Sequence, residues 1–102
     1  MKRLARCLAT AMVVTALMAA PAYAAVNGDY RGDGVRIRTG PHTYNTVLGL
    51  GYRGQGATLY CITNGSSVNG NTQWEYNRNR TTGVTGYSSD YYMNWSGSLP
   101  HC

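Results

Sequence analysis

The sequence predicts an all-β domain, a small closed or nearly closed barrel of about five short strands. Three observations carry this. Short β-prone runs recur along residues 25–102, and several alternate apolar with polar side chains. Turn residues (Gly, Asn and Pro) separate the runs. No helix-long segment there keeps an apolar repeat free of these breakers.

Val35-Arg36-Ile37-Arg38 has the period of a half-buried strand, and Thr39-Gly40-Pro41 ends it. Val47-Leu48-Gly49-Leu50 is a second apolar run. Gly51, Gly54 and Gly56 break the chain, and 57–63 reads as a strand centred on Leu59-Tyr60-Cys61-Ile62. Asn64-Gly65 and Asn69-Gly70 bracket a polar loop, each a hairpin signal because both residues tolerate positive φ. Gln73-Trp74-Glu75-Tyr76-Asn77 alternates again, with Trp74 and Tyr76 on one face. Val84-Thr85-Gly86-Tyr87 is a short strand, and 90–95 a final one. Trp74, Tyr60 and one of Tyr91 and Tyr92 are expected to fill the core, since neighbours in a strand point to opposite faces.

The N-terminus reads as an export signal. Lys2, Arg3 and Arg6 precede an uncharged run over 8–20, and Ala22-Tyr23-Ala24 follows as a cleavage pattern. The run is well short of the roughly 20 residues that span a bilayer. Cleavage after Ala24 leaves one domain, 25–102, of 78 residues, secreted or wall-associated and without a transmembrane segment. Three of the nine basic residues leave with the signal, so six basic and four acidic side chains remain. A charge of +2 lacks the dense basic stripe of a nucleic-acid binder.

Cys7 leaves as well. Cys61 and Cys102 remain, and a pair in an exported chain reads as one internal disulfide, with an intermolecular bond or a free thiol as the alternatives. Closing about 42 residues is worth roughly 4 kcal/mol in the chain-entropy model. His42 and His101 are the only histidines, and no Cys-x-x-Cys or His-x-x-x-His spacing offers a metal site. No cofactor is expected.

The carboxylates Asp29, Asp33, Glu75 and Asp90 show no spacing that pairs them across a substrate. No nucleophile with a base stands out either. The sequence therefore points to binding, not catalysis. Eight Tyr and two Trp remain after cleavage, and there is no Phe. A core does not need hydroxyls, whereas a binding groove gains from rigid rings with a polar handle.

Val35-Arg36-Ile37-Arg38-Thr39-Gly40-Pro41 resembles the opening of the bacterial SH3 family, whose first strand ends in Arg-Ser-Gly-Pro or close to it. The resemblance extends through Val47-Leu48-Gly49, the glycine-led strand from Gly56, and Trp74. It covers a core of about 30–95, with Gly86-Tyr87 where the family has Gly-Trp-Val and Tyr92-Met93 where it has Tyr-Leu. The Asn-Gly-Ser-Ser-Val-Asn-Gly-Asn loop resembles small secreted actinobacterial members. The resemblance implies a small SH3-like barrel of a kind that commonly binds cell-wall peptidoglycan, often its peptide portion; a monomer is expected. The alternative is a secreted protein-binding module such as an enzyme inhibitor. The family's groove lies between the loop after the first strand and loops near the end of the barrel. That places Tyr44, Asn45, Tyr52, Tyr91 and Trp95 as the candidate ligand-binding residues.

Overall fold

The computed structural model describes residues 24–102; the expected export signal over 1–24 lies outside the described residues but for Ala24. Among the described residues seven strands form one sheet: β1 (Val26–Tyr30), β2 (Val35–Arg38), β3 (Val47–Gly51), β4 (Ala57–Val68), β5 (Asn71–Asn79), β6 (Thr85–Ser89) and β7 (Met93–Asn94). One 3-10 turn, η1 (Asp90–Tyr92), precedes β7. The order is β3-β2-β6-β5-β4-β1-β7, and the paired strands run antiparallel. β3 and β7 end the order and do not pair with each other, so the sheet is not closed. Among the described residues, no helix is long and apolar enough to cross a membrane.

The strand count exceeds about five because β1 joins the six runs read from the sequence, and the last of those runs is cut short. Val-Asn-Gly-Asp-Tyr of β1 has no apolar alternation, yet Val26 to Gly28 pair with β4 and Asp29 and Tyr30 with β7. The expected strand over 90–95 splits, because the Ser89 hydroxyl accepts from the Tyr91 amide and winds the chain into η1 before Met93 extends again. Both Tyr91 and Tyr92 are consequently exposed, at 39% and 42%, and neither fills the core.

The inner face holds Tyr30, Val35, Ile37, Ala57, Leu59 and Met93, with Val84, Trp95 and Leu99 packed against it. β5 contributes Glu75, Asn77 and Asn79 to this side, all fully buried. The two asparagines are tied down. The Tyr30 hydroxyl donates to Asn77 Oδ1 at 2.9 Å, and Asn77 Nδ2 donates to the Glu75 and Gly86 carbonyls. Asn79 Oδ1 accepts from the Thr81 and Thr82 amides and shapes the turn into β6.

Trp74 is buried as expected, but on the outer face, away from the apolar cluster. Tyr60 departs from expectation: it is 37% exposed. The β4–β5 register shifts between Leu59 and Cys61, a bulge that leaves Tyr60 without a partner and turns it to the outer side.

β4 and β5 meet at Asn69-Gly70, with φ of 50° and 84°, the two left-handed residues of a tight hairpin. Asn64-Gly65 is no turn; it lies inside β4. The disulfide joins Cys61 to Cys102. Ile62 N donates to the Pro100 carbonyl and Cys102 N to the Ile62 carbonyl, so the tail continues along β4 in parallel beyond the end of β1.

Candidate functional site

A cleft of about 280 Å³ opens between the turn over 32–34, β2, the loop over 39–46 and η1. Its lining includes Arg36 and Arg38, the buried Trp74 and Ser89, the exposed Thr43 and Tyr92, and Asp33. Apolar rings, two guanidinium groups and a carboxylate thus face one space.

The loop over 39–46 is a braced arch. Thr39 N donates to the Thr46 carbonyl and closes its base. Asn45 Oδ1 accepts from the His42 amide, and Arg38 Nη1 donates to the Asn45 carbonyl. The crown rests on the β4 end of the hairpin. Ser66 N donates to the Pro41 carbonyl, and the Ser66 hydroxyl accepts from the Thr43 amide. Trp74 Nε1 donates to the Ser66 carbonyl, which pins the indole beneath this junction. Gly65 permits the approach: a Cβ there would stand 1.6 Å from the Pro41 carbonyl oxygen.

Beneath η1, Glu75 and Asp90 come together, a pairing that sequence spacing did not reveal. Burial pushes the Glu75 carboxyl up to about 8, and the Asp90 carboxylate beside it adds to the effect. Burial also raises Asp90, but bonds from Trp95, Asn71 and Glu75 outweigh it and hold Asp90 below its usual value. Asp90 Oδ1 accepts from Trp95 Nε1 and Oδ2 from Asn71 Nδ2, both at 2.9 Å. Glu75 is fully buried, so this pair is a structural joint and does not face the cleft. Arg38 is lowered, first by burial and then by Arg36 beside it, so the cleft already carries two close positive charges.

No family model, curated protein or solved structure matches the chain.

The five ligand-binding residues expected from sequence are dispersed. Tyr44 is 78% exposed at the crown of the arch, its ring stacked on His42 at 4.9 Å. Asn45 is a brace of that arch. Tyr52 begins the turn after β3, where its amide donates to Gln55 Oε1. Tyr91 sits edge-on to Tyr92, and Trp95 is half-buried against the core. The cleft is lined by their chain neighbours Thr43 and Tyr92, together with Arg36, Arg38 and Trp74. A signal for Arg36 and Arg38 exists in the sequence: in an alternating strand with Val35 and Ile37 inward, both must share the outer face. Among the described residues no group of three His, Cys, Asp or Glu side chains is placed to hold a metal ion.

Proposed function

We propose that the chain is an exported, non-catalytic binding module of the SH3-like kind, whose cleft takes the peptide portion of cell-wall peptidoglycan. One observation carries the reading. The cleft is bounded by Thr43, in the loop after the Arg-Thr-Gly-Pro element, and by Tyr92 near the chain's end. Those are the two regions that the resemblance to bacterial SH3 domains implies for the ligand groove. The chemistry suits a short peptide. Arg36 and Arg38 supply planar donor forks for carboxylates, Asp33 supplies a partner for an amino group, and Trp74 and Tyr92 supply apolar walls. The internal disulfide suits an oxidising, extracellular setting.

The test is co-sedimentation of the oxidised exported protein with isolated sacculi. Saturable pelleting, reduced about tenfold or more by Arg36→Ala with Tyr92→Ala and competed by soluble muropeptides, supports the reading. Absence of pelleting across several wall types sinks it.

A second reading, a secreted protein-binding module, is favoured by β3. This strand pairs on one side only and exposes Val47, Leu48 and Leu50. A free apolar edge can accept a further strand. Crosslinking to a secreted partner, lost on Leu48→Lys, distinguishes it from wall binding.

A further inference from the structure

The outer face of the sheet carries a row beside the cleft that shares only Arg38 with it and takes no part in the core. Val47 on β3 pairs with Arg38 on β2, Arg38 with Tyr87 on β6, Tyr87 with Tyr76 on β5, and Tyr76 with Cys61 on β4. The bulge at Tyr60 adds a third ring to this rung. The ring centroids lie 5.9 Å apart for Tyr60 and Tyr76, and 5.0 Å for Tyr76 and Tyr87. Those spacings follow from the strand separation of about 4.8 Å, and they lie close to the length of one pyranose residue. Arg78 follows Tyr76 on the same side of β5, exposed and opposite Thr85. Tyr60 is exposed and Tyr76 and Tyr87 are half-buried, and an amphipathic ring matches the apolar C–H face and polar rim of a sugar.

Charge narrows the class. Arg38 and Arg78 flank the rings, and none of the four Asp and Glu side chains belongs to the row. Asp29 accepts from the Gly54 and Gly56 amides, Asp90 is committed to Trp95 and Asn71, Glu75 is buried, and Asp33 lines the cleft. The row is thus aromatic and cationic, complementary to a ring polymer that carries carboxylates. Planar carboxylates suit guanidinium forks. Neighbouring rings are tilted by 45° and 52°, so they offer no flat platform for a crystalline surface.

We infer that the Tyr60–Tyr76–Tyr87 row, with Arg38 and Arg78 at its flanks, is a binding site for a single soluble acidic glycan chain of the polyuronate type. The sugars stack on successive rings while their carboxylates meet the arginines. The site adjoins the cleft and shares Arg38 with it, while its three rings and Arg78 lie outside the cleft lining.

The test is calorimetric titration of the oxidised exported protein with oligogalacturonate long enough to cross three rings. Saturable binding that weakens with salt is expected. Tyr76→Ala lowers affinity about tenfold or more, as loss of one stacked ring does. Tyr76→Phe stays within about twofold, because the stacking face is retained. Arg78→Gln weakens binding several-fold and flattens the salt dependence, and it decides the matter if Tyr76→Ala does not fold. Tyr92→Ala, in the cleft, leaves the affinity unchanged. Absence of saturable binding, equal affinity for a neutral β-glucan, tighter binding of single-stranded DNA, or indifference to Tyr76→Ala and Arg78→Gln each overturns the inference.

Discussion

Glu75 and Asp90 share one buried joint, the first on β5 and the second at the start of η1. Asp90 is fully supplied with donors, from Trp95 and Asn71. Glu75 Oε2 accepts from Gln73, but Oε1 is buried with no donor to satisfy it. A proton shared between the carboxyls resolves this, and two bare carboxylates in contact do not.

Stability therefore depends on pH in a stated direction. The Glu75 carboxyl rises from 4.5 to about 8 on folding, so the folded chain binds more protons between those values. Its contribution is full below about 4.5 and is lost as pH climbs through about 8. Asp90 and Asp29, both held low, act oppositely and lose their contribution under strong acid. The unfolding free energy from urea denaturation is expected to fall between pH 5 and 8, by an amount on the order of a few kcal/mol. Glu75→Gln removes most of that slope. A wild-type slope retained in the variant sinks the assignment.

Tyr30→Phe is expected to cost about 1–3 kcal/mol. The ring stays in the core, but Asn77 Oδ1 loses its donor in a fully buried place. Chemical denaturation of both proteins measures it. Tyr30→Phe with Asn77→Leu isolates the coupling in a double-mutant cycle.

Gly65→Ala is expected to displace the arch and cost roughly 2 kcal/mol or more. The methyl would sit on the Pro41 carbonyl oxygen, and neither backbone can yield without breaking the Ser66 to Pro41 bond. The readout is the Trp74 fluorescence, because its indole is bonded to Ser66 at the same junction. A spectrum and stability equal to wild type would overturn this account.

Reduction of the disulfide is expected to lower stability by roughly 2–4 kcal/mol, since it closes a loop of 41 residues' separation. Hydrogen exchange at the Cys102 amide is expected to rise first, and at Ile62 with it. Their bonds join β4 to the tail alone. Unchanged protection after reduction would show that the tail docks without the bond.

Much of the strand layout is legible from local pattern. Val35–Arg38 alternates because β2 has one wet face, and Asn69-Gly70 marks its turn because both residues take positive φ. What escapes the sequence depends on distant partners. β1 has no apolar signature and exists through β4 and β7. β5 misleads more deeply: its apolar Trp74 and Tyr76 suggest the core side, yet Glu75, Asn77 and Asn79 occupy it. The two asparagines are tolerable there because Tyr30 and Gln55, far from them in sequence, bond to them. The cleft was legible in its two bounding regions and illegible in its lining. A tyrosine count cannot tell Tyr92, in the lining, from Tyr91 beside it.

The arch has a further consequence for thermodynamics. Its base, its brace and its crown are all hydrogen-bonded before any ligand arrives. The backbone freedom of this loop is therefore surrendered during folding and not during association. A ligand entering the cleft meets a rim already in its final shape, so the encounter needs no slow rearrangement. Affinity among related ligands will then be set by how long each one stays, with association rates that differ little between them.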